Sequence, residues 1–311
     1  MPLARHGEVD LYYEVHGEPD APVLMLVAGL AEQIGSVEFP EEQAELFVEA
    51  GFRVVLLDCR DAGRSTWFDV AGRPNLDDVL TALASGEVPV LPYTHLDMAD
   101  DLIAVADHMG ASRVHLVGAS GGGLLVRWAA IRHPQRVETV TVVMSGSGAL
   151  PGDDGPQMDP DLFASLLAMG DHRSESDYIP YRVELWRDQW GTTFNFDESW
   201  VAARVTEAFR RSYRPDGAYR QILAAMGAPG LWDAQRSIEQ PTLVVHGSAD
   251  PVFAPDHALA MVRQIPNADL WLVEGMGHSM HAEIWPELTQ RISGLTERDW
   301  AEEEIAPRFG E

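Results

Sequence analysis

Three short stretches hold residues that could do chemistry together. Ser120 lies in Gly118-Ala119-Ser120-Gly121-Gly122, Asp250 in His246-Gly247-Ser248-Ala249-Asp250-Pro251, and His278 in Gly275-Met276-Gly277-His278. A serine hydroxyl is a weak nucleophile until a neighbouring base takes its proton. Imidazole, with an unperturbed pKa of about 6.5, is the natural base near neutral pH. A carboxylate then holds the ring in the right tautomer and stabilises the imidazolium that forms. The chemistry these three types can perform is acyl transfer: attack on a carbonyl carbon, an oxyanion, and a covalent acyl intermediate.

Such a set works only if the fold brings the three to one point. Val114, Leu116 and Val117 form a buried strand just before Ser120, and a helix is expected over Leu124 to Arg132. Strand, Gly-x-Ser-x-Gly and helix in that order is the context that gives the motif meaning. The small residues at 118 and 122 leave room for a sharp turn that pushes the hydroxyl out above the sheet. The same turn puts the Gly121 N–H at a helix start, where it can face an oxyanion. A second donor is expected from the tight turn Ala28-Gly29-Leu30-Ala31, at the N–H of Leu30, with Gly29 beside the substrate.

Other elements follow from apolar runs and their stops. Strands are predicted at Val9 to Val15 (an antiparallel edge), Val23 to Ala28, Arg53 to Leu57, Val137 to Met144, Pro241 to His246 and Ala268 to Val273. Helices are predicted at Glu41 to Ala50, Asp97 to Met109 with Thr94 as N-cap, Asp256 to Ile265 and Glu283 to Leu295. Trp67 to Tyr93 reads as a long excursion with one short helix, Leu76 to Ala84. Strands alternating with helices predict an α/β fold with a mostly parallel sheet covered on both faces. Ligands then bind at the carboxyl ends of the strands, where Ser120, Asp250 and His278 all fall.

Between residues 146 and 237 the strand pattern disappears, and aromatic residues mix with charges at helical spacing. This predicts a helical cap inserted after the sixth strand, with residues 1–145 and 238–311 forming the core. Most of its rings are expected to pack on one another. Trp186 and Trp190, together with Met276 of the histidine loop, are candidates for a pocket wall.

The roles have competitors. His281, His246 and His115 could serve as base, but His246 lies inside a strand and His115 among core residues. The loop after the sixth strand, Ser145-Gly146-Ser147-Gly148, could carry the acid but has no carboxylate before Asp153, which favours Asp250. His278-x-x-His281 has metal-ligand types, but no third ligand is placed to join them, so no metal and no cofactor is expected.

Composition narrows the classes further. The chain has 311 residues and a formal charge of −27, and every one of its 22 basic side chains is arginine. That surface repels nucleic acid and anionic membrane. Without lysine, Schiff-base chemistry is excluded. Cys59 is alone, so no internal disulfide can form. No apolar run is long enough to span a membrane and the first residues show no apolar leader, which together suit a cytoplasmic protein. The tail, Thr296 to Glu311, is acidic and is expected to be partly disordered.

The three motifs, in the order serine, acid, histidine, resemble the α/β-hydrolase superfamily over nearly the whole chain. The resemblance implies an eight-stranded sheet with an inserted helical cap and a Ser120–His278–Asp250 triad. Asp58-Cys59-Arg60-Asp61-Ala62-Gly63-Arg64-Ser65-Thr66 and the aromatic cap are similar to the aclacinomycin- and anthracycline-type methylesterases. That likeness implies hydrolysis of a methyl ester on a bulky polycyclic small molecule. Two departures are visible: Ala28 stands where many relatives have histidine, and Gly121 where many have methionine. The same site could open lactones, break carbon–carbon bonds or make peracids. A binding or cyclisation scaffold that kept the pocket is the reading from another class.

Overall fold

A computed structural model describes residues 3–228 and 230–297. Its centre is one eight-stranded sheet in the order β1-β2-β4-β3-β5-β6-β7-β8. The strands are β1 (Leu3–His6), β2 (Val9–His16), β3 (Val23–Val27), β4 (Arg53–Leu57), β5 (Val114–Ala119), β6 (Val137–Val143), β7 (Thr242–Gly247) and β8 (Ala268–Val273). Pairing is antiparallel for β1–β2 and β2–β4 and parallel from β4 onward. The sheet is thus mostly parallel, as the alternation of strands and helices predicts.

The central strands are mainly apolar and buried almost throughout because helices cover both faces. Successive residues divide between two clusters. Met25, Val55, Leu116, Val142 and Val244 face one side, packed with Leu102, Val126 and Met261. Leu24, Leu56, Val117, Val143 and Val245 face the other, packed with Phe47, Leu288 and Ile292. The helices involved are α1 (Glu41–Glu49), α3 (His95–His108), α4 (Gly121–Arg132), α10 (Pro255–Gln264) and α11 (Trp285–Glu297), while α2 (Leu76–Ala84) packs away from the sheet, with Val79 against Leu223 and Met226. The start of α3 is fixed by a reciprocal cap: the Asp97 N–H donates to Thr94 Oγ1 and the Thr94 N–H to Asp97 Oδ2.

The structure corrects two expectations and adds a strand. The outermost strand is β1, and β2 lies inside it, so Val9 to Val15 is not the edge. The four residues of β1 carry too little apolar pattern to be read as a strand, since only Ala4 is buried. Helix α4 begins at Gly121 rather than Leu124. Its three leading glycines are poor helix formers, and tertiary packing overrides that preference. The expected acidic tail lies outside the described residues from 298 onward.

Five helices fill the chain between β6 and β7: α5 (Pro160–Ala168), α6 (Glu175–Gln189), α7 (Glu198–Ser212), α8 (Pro215–Met226) and α9 (Leu231–Ala234). Helices α6 and α7 share an apolar cluster that includes Tyr178, Trp186, Trp190 and Val201. Arginines of α6, α7 and α8 reach down to loops at the strand ends. Arg182 pairs with Glu32, Arg211 with Asp58 at 2.7 Å, and Arg220 forks onto Asp61 at 2.7 and 2.8 Å. No helix among the described residues is long and apolar enough to cross a membrane.

Candidate active site

Ser120 links β5 to α4 with φ 49° and ψ −117°. Positive φ is strained for any residue with a Cβ, and close packing holds it here. A Cβ on Gly118 would meet Gly122 O at 2.3 Å, and one on Gly122 would meet Val27 O at 2.1 Å. Only glycine fits either place, as the sequence motif implies. The Ser120 N–H donates to Val143 O, and its own carbonyl accepts from Ser145 Oγ at 2.7 Å.

The loop from Ser145 is tied from below by Arg127, which sequence reading passed over. Its guanidinium is fully buried and has no carboxylate partner among the described residues. It donates instead to Gly123 O, Gly146 O, Ser147 O and Gln235 Oε1. Burial pushes its pKa down to about 9. The alternative acid loop is therefore occupied in holding the turn beneath Ser120.

Asp250 follows β7. Its Oδ1 accepts the N–H groups of Val252 (2.8 Å) and Phe253 (3.0 Å), which fixes the carboxylate plane. Its Oδ2 lies 2.9 Å from His278 Nδ1. An ionised carboxylate only accepts, so Nδ1 carries the proton and Nε2 is left with a lone pair. That Nε2 lies 2.9 Å from Ser120 Oγ. Burial raises the Asp250 pKa, but the charge and hydrogen bond of His278, with His246 and the Phe253 N–H, outweigh it and hold the acid below its ordinary value. For His278, burial lowers the pKa, while Asp250 and then Glu38 raise it by more, so the net direction is up.

The histidine loop is pinned to the inserted helices. The His278 N–H donates to Gln189 O at 2.6 Å, and Thr192 N–H to Gly275 O at 2.8 Å. A Cβ on Gly277 would sit 2.1 Å from Gln189 O. The other histidines are held elsewhere. His115 contacts Thr139 Oγ1, and burial pushes it down to about 4. His246 Nε2 bonds Phe253 O at 2.8 Å. His281 is buried between Trp190 and Phe194 rather than on the closing helix.

Leu30 and Gly121 both line the space above Ser120. A Cβ on Gly121 would lie 3.4 Å from Leu30 N. Gly121 is the first residue of its helix, so its N–H has no partner within the helix. Two such donors aimed at one point can hold an oxyanion.

Beside them is a carboxyl group that the sequence did not single out. Glu38 Oε2 accepts the Gly29 N–H at 2.5 Å. Glu38 is 4% exposed, and its carboxyl is pushed up to about 7, by burial first and then by the charge of Glu32. The Gly29 N–H, His278 and Arg182 pull the other way. In the sequence it is a lone acid between Val37 and Phe39, a pattern equally consistent with a solvated loop.

A cavity of about 380 Å³ opens above Ser120. Its wall is mainly apolar, with Leu124, Met158, Phe163, Trp186, Ile222 and Phe253. Gly29, Leu30, Gly121 and Trp186 line it. Trp190 and Met276 do not. Trp190 packs edge-on against Phe196 and donates Nε1–H to Asn195 O, and Met276 is fully buried in the core under the sheet's rim. A ring or thioether in a sequence pattern cannot say which of two apolar environments it enters. Among the described residues there is no group of three or more His, Cys, Asp and Glu side chains that could hold a metal ion.

A mostly parallel sheet with a serine on a strained strand-to-helix turn, and an acid and a histidine on later strand ends, defines the α/β-hydrolase class. Residues 22–283 match the family model of the alpha/beta hydrolase fold, and the chain belongs to that family. Rhodomycin D methylesterase DnrP of Streptomyces peucetius is 28% identical over 94% of this chain and 97% of its own. A putative carbamate hydrolase, RutD of Caulobacter sp. (strain K31), is 36% identical over 88% of this chain and 90% of its own. Among solved structures, the enol-lactonase from Burkholderia xenovorans LB400 superposes with a TM-score of 0.69 at 20% identity, covering 94% of this chain and 99% of that one, a likeness of fold.

Proposed function

We propose that the protein is a serine hydrolase that cleaves a carboxylic ester through an acyl-enzyme on Ser120. His278 Nε2 takes the hydroxyl proton as Oγ bonds the carbonyl carbon. The oxygen that gains negative charge is held by the N–H groups of Leu30 and Gly121. Collapse breaks the bond to the alcohol, which leaves with the proton from His278. Water then gives a proton to His278 and attacks the acyl carbon, and the acid departs as Ser120 recovers its proton. Asp250 keeps Nδ1–H in place throughout and stabilises the imidazolium.

The observation that carries this reading is the chain of two 2.9 Å contacts, Asp250 to His278 to Ser120, beneath a cavity with a mainly apolar wall. The size of that cavity and the likeness to a rhodomycin D methylesterase support a methyl ester on a bulky, apolar small molecule as substrate. A lactone is an internal ester and takes the same steps. Residues 146–237 act in this reading as the cap over the site, with 1–145 and 238–311 as core. A cytoplasmic location belongs to the same proposal and rests on the single cysteine.

An alkyl fluorophosphonate tests the nucleophile. It is expected to label Ser120 stoichiometrically and to abolish turnover of p-nitrophenyl esters, and Ser120→Ala is expected to resist labelling. A folded sample that takes no label would favour a binding scaffold.

A further inference from the structure

Glu38 is a costly group to place beside an oxyanion. A buried carboxyl loses hydration that only strong partners replace. One of its oxygens has such a partner in the Gly29 N–H. The other has no hydrogen-bond partner among the described residues and faces the cavity that Glu38 lines. A Cβ built on Gly29 would lie 2.7 Å from that free Oε1 and 2.9 Å from Ser120 Cβ, so the two flank a single point. The free oxygen therefore stands against whatever part of a substrate adjoins the reacting carbonyl.

We propose that Glu38 determines which esters this site accepts: its free oxygen takes a hydrogen bond from a hydroxyl close to the reacting carbonyl and repels a second carboxylate in that place. This inference rests on the ester-hydrolase reading and adds its substrate class, hydroxyl-bearing acyl groups. The charged and titratable groups facing Glu38 are Glu32 on the same loop, Arg182 from α6, His278 from the loop after β8 and the Cys59 thiol after β4. Arg182 is paired with Glu32 and offsets Glu38 only in part, so one cation stands against two carboxylates. An ionised Glu38 leaves this corner negative. As pH falls through about 7 the carboxyl takes a proton, the repulsion fades, and the acid can donate as well as accept.

The test compares kcat/KM for methyl 3-hydroxybutyrate, methyl butyrate and monomethyl succinate in the full chain and in Glu38→Gln. At pH 8 the wild type should prefer the hydroxy ester and disfavour the succinate by at least about tenfold against butyrate, as expected for a like charge in a desolvated site. The penalty should shrink toward pH 6 and should persist at 0.5 M salt, which screens the acidic surface but not a buried group. In Glu38→Gln the amide oxygen takes the Gly29 N–H and the NH₂ faces the cavity. The succinate-to-butyrate ratio should then rise at least about tenfold and lose its pH dependence. A merely structural Glu38 would instead lower all three rates by one factor. Ratios unchanged by the substitution overturn this inference alone. Hydrolysis of none of the three esters by the wild type overturns the ester-hydrolase reading and this inference with it.

Discussion

The two sides of the cavity are built in different ways. On the sheet side, each proposed catalytic group is placed by backbone that has just left a strand: Leu30 after β3, Ser120 after β5, Asp250 after β7 and His278 after β8. On the helical side, placement depends on long side chains that cross the molecule. Arg182 reaches Glu32, Arg211 reaches Asp58, Arg220 reaches Asp61, and Gln221 accepts the Ala31 N–H from 190 positions away. Three arginines on helices thus meet three acids on strand-end loops, all buried or nearly so. The planar fork of arginine suits such pairs, which gives a structural use for basic side chains that are all arginine. The sheet side is positioned by local backbone geometry, and the helical side by long-range charge pairs.

The comparison can be broken first on the sheet side. Asp250→Asn should leave the fold intact, since the amide oxygen still accepts the Val252 and Phe253 N–H groups. It should lower kcat on the order of 10⁴-fold, because His278 is then held in the wrong tautomer. A loss under tenfold would mean the acid does not orient the base.

On the helical side, the largest effect should be on stability. Arg220 is fully buried against Asp61, which also accepts from Tyr93 OH at 2.6 Å. Arg220→Met leaves that carboxylate without its cation, at a cost of about 3–5 kcal/mol in denaturant unfolding. The double variant Arg220→Met, Asp61→Asn should recover more than half of that loss. A cost for Arg220→Met of less than 1 kcal/mol would show the pair to be dispensable.

The junction of the two sides is the histidine loop. Gly277→Ala puts a methyl group against Gln189 O, so the loop or the end of α6 must move. A shift of about 1 Å at His278 is expected to lower kcat on the order of 10²-fold with little change in KM. Unfolding transitions of the two sides, followed by tryptophan fluorescence and by far-UV circular dichroism, should then separate.

The smallest effect is that of pH. His278 acts as a base only when neutral, and its pKa is raised from the ordinary 6.5. Activity of the full chain should therefore fall about tenfold per pH unit below that raised value. A profile whose acid limb lies below pH 6 would contradict the direction of the shift. For stability the signs oppose. The raised His278 pKa contributes stability that is lost as pH rises through its folded value, and the depressed Asp250 pKa contributes stability lost as pH falls through its own.

What could be read from the sequence follows the same division. Ser120, Asp250 and His278 were legible because small residues and strand ends dictate where they point. Strands β3, β5 and β7 were legible because burial on both faces leaves a short, mainly apolar run. Glu38 and Arg127 were not, since their environment is made by residues distant in the chain. Neither was the difference between Trp186, which lines the cavity, and Trp190 one helical turn on, which turns into the cluster beneath. Strand β1 was missed because pairing with β2, rather than its own composition, makes it a strand.

The account holds that residues 120, 250 and 278 act as one relay, and the non-additivity of Ser120→Ala and His278→Ala tests this most directly. Measured as kcat for a methyl ester, each single substitution should cost on the order of 10⁴-fold or more, and the double should cost no more than the worse single. Losses that multiply in the double variant would mean that the two side chains contribute independently, and the relay would be wrong.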